Sequence, residues 1–132
     1  MTCFTKVLEH IAPRQTDAFA FIGDSLMPQQ RIFGGQVVAQ CLMAANQTVA
    51  PDLHAHSLHA YFLHAGDPSI PIDFEVDPIR DGRSFSTRRV VARQKGEAIF
   101  NTSISYHCEE EGVSHCLTMG HSDPQTQMWG PD

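Results

Sequence analysis

The sequence predicts an α+β fold, a curved antiparallel sheet wrapped around one long central helix. Residues 37–45 are apolar at nearly every position, and the polar Gln36, Gln40 and Gln47 are spaced to fall on one narrow stripe. A helix with so little polar face must be covered on nearly all sides or cross a membrane, and this stretch is too short to span a bilayer. The segments that follow alternate like half-buried strands: Ile72, Phe74 and Val76 interleave with Asp73, Glu75 and Asp77. Short turn signals join them, and a run of strands after one helix gives α+β rather than a parallel βαβ sheet.

Each element has its own warrant. Phe4, Val7, Leu8 and Ile11 stand at i, i+3, i+4 and i+7, so the chain opens on a short amphipathic helix that Pro13 ends. Residues 18–22 are a short apolar run, read as the first strand, and residues 23–30 form a loop with Asp24, Ser25 and Pro28 as turn formers. Gly34 and Gly35 lead into the central helix, which is expected to reach about Val49 before Pro51 and Asp52. Residues 53–63 make a histidine-rich strand carrying His54, His56 and His59. Gly66, Asp67 and Pro68 turn the chain into the alternating strand at Ile72, and Asp81-Gly82 turns it again. Residues 84–94 and 98–107 are the last strands, joined at Lys95-Gly96. One domain over residues 1–110 is expected, with residues 111–132 a polar, mobile tail.

At 132 residues the chain has room for one core. Its hydrophobic fraction of 42% is that of a globular protein, and its formal net charge of -6 argues against nonspecific nucleic-acid binding. An anionic ligand would have to be held by local positive charge. Cys3, Cys41, Cys108 and Cys116 form no C-x-x-C pair. The opening M-T-C-F-T-K-V-L-E-H lacks a secretory leader's apolar run, and the final W-G-P-D is not an S-K-L peroxisomal address. Free thiols in a reducing, cytoplasmic setting are the expectation.

Three groups of residues are candidates for chemistry. Gly34, Gly35 and Gln36 start the central helix, where unpaired N–H groups and the helix dipole favour a developing oxyanion. Equally simple, the glycines let the helix pack tightly, and the glutamines satisfy backbone groups. His54 and His56 have an H-x-H spacing, but Leu58 and Ala60 or Tyr61 stand where a further ligand would be needed, so no metal is expected. His56 has the titration range of a general base, although a surface or interface histidine is the plainer reading. Arg80, Arg83, Arg88, Arg89, Arg93 and Lys95 hold most of the cations. They would bind a phosphorylated handle such as that of coenzyme A, or pair with Asp73, Glu75 and Asp77 on the neighbouring strand. There is no G-x-S-x-G elbow.

The segments R-I-F-G-G-Q-V-V-A-Q, H-S-L-H-A-Y-F-L-H-A-G-D and I-R-D-G-R-S-F-S-T-R-R-V, in that order, resemble the N-terminal half of the acyl-CoA thioesterase II, TesB-like family. The resemblance implies a hotdog fold and hydrolysis of fatty acyl-CoA to free acid and coenzyme A, with no metal or redox cofactor. It also implies two hotdog modules, the second holding the Asp, Thr and Gln that orient water. The corresponding Thr and Gln places in this chain fall near Ala55 and Ser105, and the central helix has no carboxylate. No catalytic residue carries over. Phe33, Gly34, Gly35 and Gln36 carry over as scaffold at the helix start, and Arg80, Asp81, Gly82, Ser84 and Phe85 at the turn. With Arg88 added, and Asp81 excepted, these are the expected substrate-binding residues. Gly35 and Gln36 as carbonyl donors, His56, and Asp81 acting across an interface are the catalytic candidates. The exposed edges of the sheet call for a second module or a homodimer. The alternative function is a noncatalytic acyl-CoA or acyl-chain binding module.

Overall fold

The computed structural model describes residues 3–25, 31–118 and 120. The expected tail at residues 119 and 121–132, the loop at 26–30 and the side chain of Phe4 lie outside them. The elements run α1 (Cys3–Ile11), β1 (Arg14–Asp17), β2 (Ala20–Gly23), α2 (Gly34–Asn46), β3 (Leu53–Phe62), β4 (Ile72–Asp81), β5 (Phe85–Gln94) and β6 (Glu97–Cys108). All strands pair antiparallel in one six-stranded sheet of order β1-β2-β4-β5-β6-β3.

The sheet does not wrap the helix, which corrects the expected architecture. It is open and not strongly curled, ending on β1 at one side and β3 at the other. α2 lies across β4, β5 and β6. Gln36, Val37, Gln40, Cys41, Ala44 and Ala45 form its buried face, whereas Val38, Ala39, Leu42 and Met43 are only half-buried. The sequence pattern misled because the polar stripe points inward. The side-chain amides of Gln36 and Gln40 both donate to Asp24 O, at 3.2 and 3.0 Å, and Gln40 also donates to His10 O at 3.0 Å. Those bonds fasten the helix to the N-terminal segment, so burying two glutamines costs little, and the apolar flank is left outward.

The helix ends at Asn46 rather than Val49, because Thr48 turns back with both its N–H and its hydroxyl onto Ala45 O, at 2.9 and 2.8 Å. A strand was also missed. β1 is R-Q-T-D, exposed throughout, with no apolar alternation to reveal it. Its hairpin with β2 closes where Asp17 accepts from Ala18 N–H at 2.7 Å.

The core is one cluster between α2 and the sheet, including Phe21, Ile72, Phe74, Val76, Val90, Phe100, Ile104 and Tyr106. Ile72, Phe74 and Val76 point inward as their alternation requires. The opposite face carries cross-strand ion pairs, Arg93–Glu75 at 2.9 Å and Arg89–Asp77 at 2.7 Å. β4 slips register between Asp77 and Arg80, where Pro78 lacks the N–H a regular ladder needs. β3 is paired on one side only, and eight of its ten residues, among them Leu58, Tyr61 and Phe62, are exposed.

Candidate active site at the amino end of the central helix

The expected site residues fall into separate places. Phe33, Gly34, Gly35 and Gln36 stand at the amino end of α2. Arg80, Asp81, Gly82 and Arg88 gather beside Thr48, past its carboxyl end. Thirteen helical residues separate the two ends, about 20 Å at 1.5 Å per residue. His56 lies in a third place, its ring 6.0 Å from those of Phe85 and His107, with Nε2 against Ser105 Oγ at 2.8 Å.

Around the first turn of α2 the fold builds a cleft of about 370 Å³, lined by Arg31, Ile32, Gly34, Val37, Phe62, Leu63, His64, Ala65, Gly66, Ile99 and Phe100. One wall is the segment leaving β3, pinned to β6 by Leu63 and His64 N–H groups that both donate to Ile99 O, at 2.9 and 3.1 Å. Buried Gln94 holds the next loop, donating to Asp67 O and Ile70 O and accepting from Asp67 N–H, all at 2.8 Å. The other wall is the helix start, tied across by Ile32 N–H to Gly66 O at 3.3 Å. Gly34 suits this closeness, since a Cβ there would lie 2.8 Å from Phe62 Cε1 and the ring would have to shift. Phe62 in turn packs edge-on against Phe100, centroids 4.9 Å apart.

The cleft is apolar with a positive end. No side chain caps α2 at Phe33, and no acidic residue stands in its first turn. The N–H groups of that turn have no helical acceptor, so the end attracts negative charge. The Gln36 N–H is already engaged with Phe33 O at 3.0 Å and its side chain is buried, which leaves the amides of Gly34, in the cleft lining, and of adjoining, exposed Gly35 as the first-turn donors. Arg31 lines the mouth, and His64 faces Glu97 at 3.6 Å with both side chains largely exposed.

The second group is structural. Arg88 is 2% exposed, and each of its five N–H donors has an acceptor: Thr48 Oγ1 and O, Arg80 O, Thr87 O and Asp81 Oδ1. It has nothing left to offer a phosphate. Asp81 is committed to Arg88 at 2.6 Å. Gly82 sits under Phe85 O, 2.6 Å from where a Cβ would stand, and its N–H donates to that oxygen. Arg80 and Arg83 are exposed, with no ion pair among the described residues. Phe33 and Phe85 are exposed aromatics at 73% and 46%, and Ser84 O accepts from Cys108 N–H at 3.1 Å.

Sequence reasoning missed the far wall of the cleft: Phe62, His64, Gly66, Ile99 and Phe100. The segment H-A-Y-F-L-H-A-G carried a weak signal, a glycine following exposed aromatics at the end of a strand. Nothing local tied it to Gly34.

Among known proteins, residues 23–107 match the acyl-CoA thioesterase N-terminal domain. The chain is 52% identical over 100 residues to acyl-coenzyme A thioesterase 8 of Mus musculus, covering 75% of this chain and 31% of that protein. It is similar to the solved tesB protein of Mycobacterium avium subspecies paratuberculosis, at 33% identity and a TM-score of 0.80, covering 96% of this chain and 51% of that one. An acyl-CoA thioesterase II, TesB2, of Mycobacterium marinum is 39% identical with a TM-score of 0.77, covering 90% of this chain and 44% of that one. The chain thus spans about a third of the curated relative and about half of the solved proteins. With its antiparallel hotdog-like sheet, the helix laid across it and the family match over residues 23–107, the chain belongs to the acyl-CoA thioesterase N-terminal domain family.

Proposed function

We propose that the chain is one half of an acyl-CoA thioesterase, binding the substrate's thioester region in the cleft at the amino end of α2 and relying on a second hotdog module, or a second copy, for the groups that activate water. The observation that carries this reading is the apolar cleft of about 370 Å³ opening onto an uncapped helix end. The helix end would draw electron density onto the carbonyl oxygen and stabilise the oxyanion that forms when water attacks, with Gly34 and Gly35 N–H as donors. Apolar Ile32, Val37, Phe62 and Phe100 would receive the acyl chain. Exposed Arg80 and Arg83 are the cations suited to a phosphate of the coenzyme. Residues 1–110 would be the working module, and β3, unpaired on one side and carrying exposed Leu58, Tyr61 and Phe62, the edge on which the partner docks.

No helix among the described residues is long and apolar enough to cross a membrane. A cytoplasmic setting is part of the proposal, and it rests on the free thiols of Cys108 and Cys116.

The test is an acyl-CoA binding titration alongside a spectrophotometric assay for released coenzyme A thiol. The isolated chain is expected to bind palmitoyl-CoA with little thiol release, and to gain release when joined to the second module of a relative. Failure to bind overturns the reading. A noncatalytic binding module is the second reading, favoured by a lining whose only acid–base side chain other than Arg31 is His64. Binding with no release even in the joined protein would establish it.

A further inference from the structure

At the other end of β3 lies a cluster outside the site just described. His107 Nε2 and Glu110 Oε2 are 3.6 Å apart, and Cys108 Sγ lies 3.8 Å from Glu110 Oε1. One ligand atom from each of these three residues falls within 4.8 Å of the others. A tetrahedral ion with ligands at about 2.0–2.3 Å sets its ligand atoms about 3.3–3.8 Å apart. His107 and Cys108 each stand at that spacing from Glu110, though from different oxygens of its carboxylate, so rotation of that exposed carboxylate and of the half-buried thiol would close the set.

Adjacent strand residues normally point to opposite faces. Here β6 ends at Cys108, its last N–H donated to Ser84 O at 3.1 Å, and the chain then turns so that Glu110 faces back on both. The His107 ring is held by stacking on Phe85, centroids 4.5 Å apart and planes 29° from parallel. Such support for a ligand imidazole raises metal affinity by limiting how far the ring can turn. Beside the cluster is a hollow of about 270 Å³, lined also by His54 and His56. The register of β3 slips between Ala55 and Ser57, leaving His56 as the extra residue of a bulge that aims it there.

We propose that His107, Cys108 and Glu110 bind a divalent first-row transition ion of the zinc type, with a fourth position open to water from the hollow. A thiolate, an imidazole and a carboxylate together select such an ion over magnesium or calcium, which take oxygen ligands. Binding displaces the thiol proton to solvent and leaves the ion's charge state unchanged. The ion would clamp the residues after β6 to the sheet. This site is independent of acyl-CoA binding at α2.

The test is a cobalt(II) titration of the 132-residue chain, followed by zinc competition. One equivalent of cobalt is expected to give a near-ultraviolet thiolate-to-metal charge-transfer band with tetrahedral d–d absorption, displaced by zinc. Cys108→Ser should abolish the band. His107→Gln and Glu110→Gln should each weaken binding at least about tenfold, while Cys116→Ser, in the exposed segment beyond, leaves it intact. Glu110 is exposed and lies past the last strand, so its variant tests the site without threatening the fold. No charge-transfer band, a band surviving in Cys108→Ser, unchanged affinity in Glu110→Gln, or saturation only at millimolar metal would each overturn the proposal.

Discussion

Arg88 donates five hydrogen bonds from one buried side chain, and removing it tests whether that charge is architecture rather than a substrate handle. Arg88→Met keeps an unbranched apolar stem but strands five acceptors, two of them on Thr48 just past the helix. All five bonds come from a charged guanidinium and are charge-assisted, each contributing about 1.5–3 kcal/mol, though not additively. Breaking a buried ion pair on one side costs about 3–5 kcal/mol. Asp81 is 67% exposed in its side chain and can return to water, which places the cost near 3 kcal/mol. Arg88→Lys retains the charge but only three donors, at a cost of about 2 kcal/mol. Asp81→Asn keeps an acceptor oxygen facing the guanidinium and should cost about 1 kcal/mol. Urea unfolding monitored by far-ultraviolet circular dichroism measures all three, and the Met variant's melting point should fall by about 9–15 °C. Palmitoyl-CoA affinity of the folded Lys and Asn variants should stay near that of the parent chain. A Met variant within about 1 kcal/mol of the parent, or an Asn variant costlier than the Met variant, would refute the assignment.

Gly34→Ala pushes at 2.8 Å on the Phe62 ring, which packs on Phe100 inside the cleft, whereas the atoms nearest a Cβ at Gly35 belong to the Phe33 ring at 2.6 Å, outside the cleft lining. The first should lower palmitoyl-CoA affinity about tenfold, a loss of about 1.4 kcal/mol, and the second should leave thermal stability within about 0.5 kcal/mol. The β5–β6 turn holds Lys95 at φ 50 and Gly96 at φ 83, the two-residue form that favours Asn-Gly. Lys95→Asn should therefore raise stability by about 0.5–1 kcal/mol in urea titrations. Burial pushes the Cys41 thiol well above its ordinary 9.0, so the unfolded chain loses that proton first. Its contribution is complete below pH 9.0 and declines as pH rises, by at most about 1.4 kcal/mol per pH unit. Cys41→Ala should flatten the alkaline fall in urea midpoint, and an equally steep fall in that variant would show another group to be responsible.

The strands β3 to β6 were legible because their signals are local. Ile72, Phe74 and Val76 carry a period of two, and Asp81-Gly82 and Lys95-Gly96 are turn chemistry. Each can be read within a few residues of itself. β1 was not legible, since R-Q-T-D has neither apolar alternation nor a core face and exists only because β2 offers it an edge. The helix was legible as a helix, but its surroundings were not. Burial of Gln36 and Gln40 depends on carbonyls of Asp24 and His10, 12 and 30 residues away from their partners.

The sequence by itself determined an α+β antiparallel domain with one largely apolar helix, and the three segments that mark its family. Short-range periodicity and turn preference carry that information. Only the tertiary structure decided that the sheet stays open, that Arg88 is spent on Thr48 and Asp81, that Phe62 and Gly66 meet Gly34 to form the cleft, and that His107, Cys108 and Glu110 converge. Those outcomes depend on which groups distant in sequence satisfy a buried donor or fill a neighbouring hollow, and no local pattern encodes that choice.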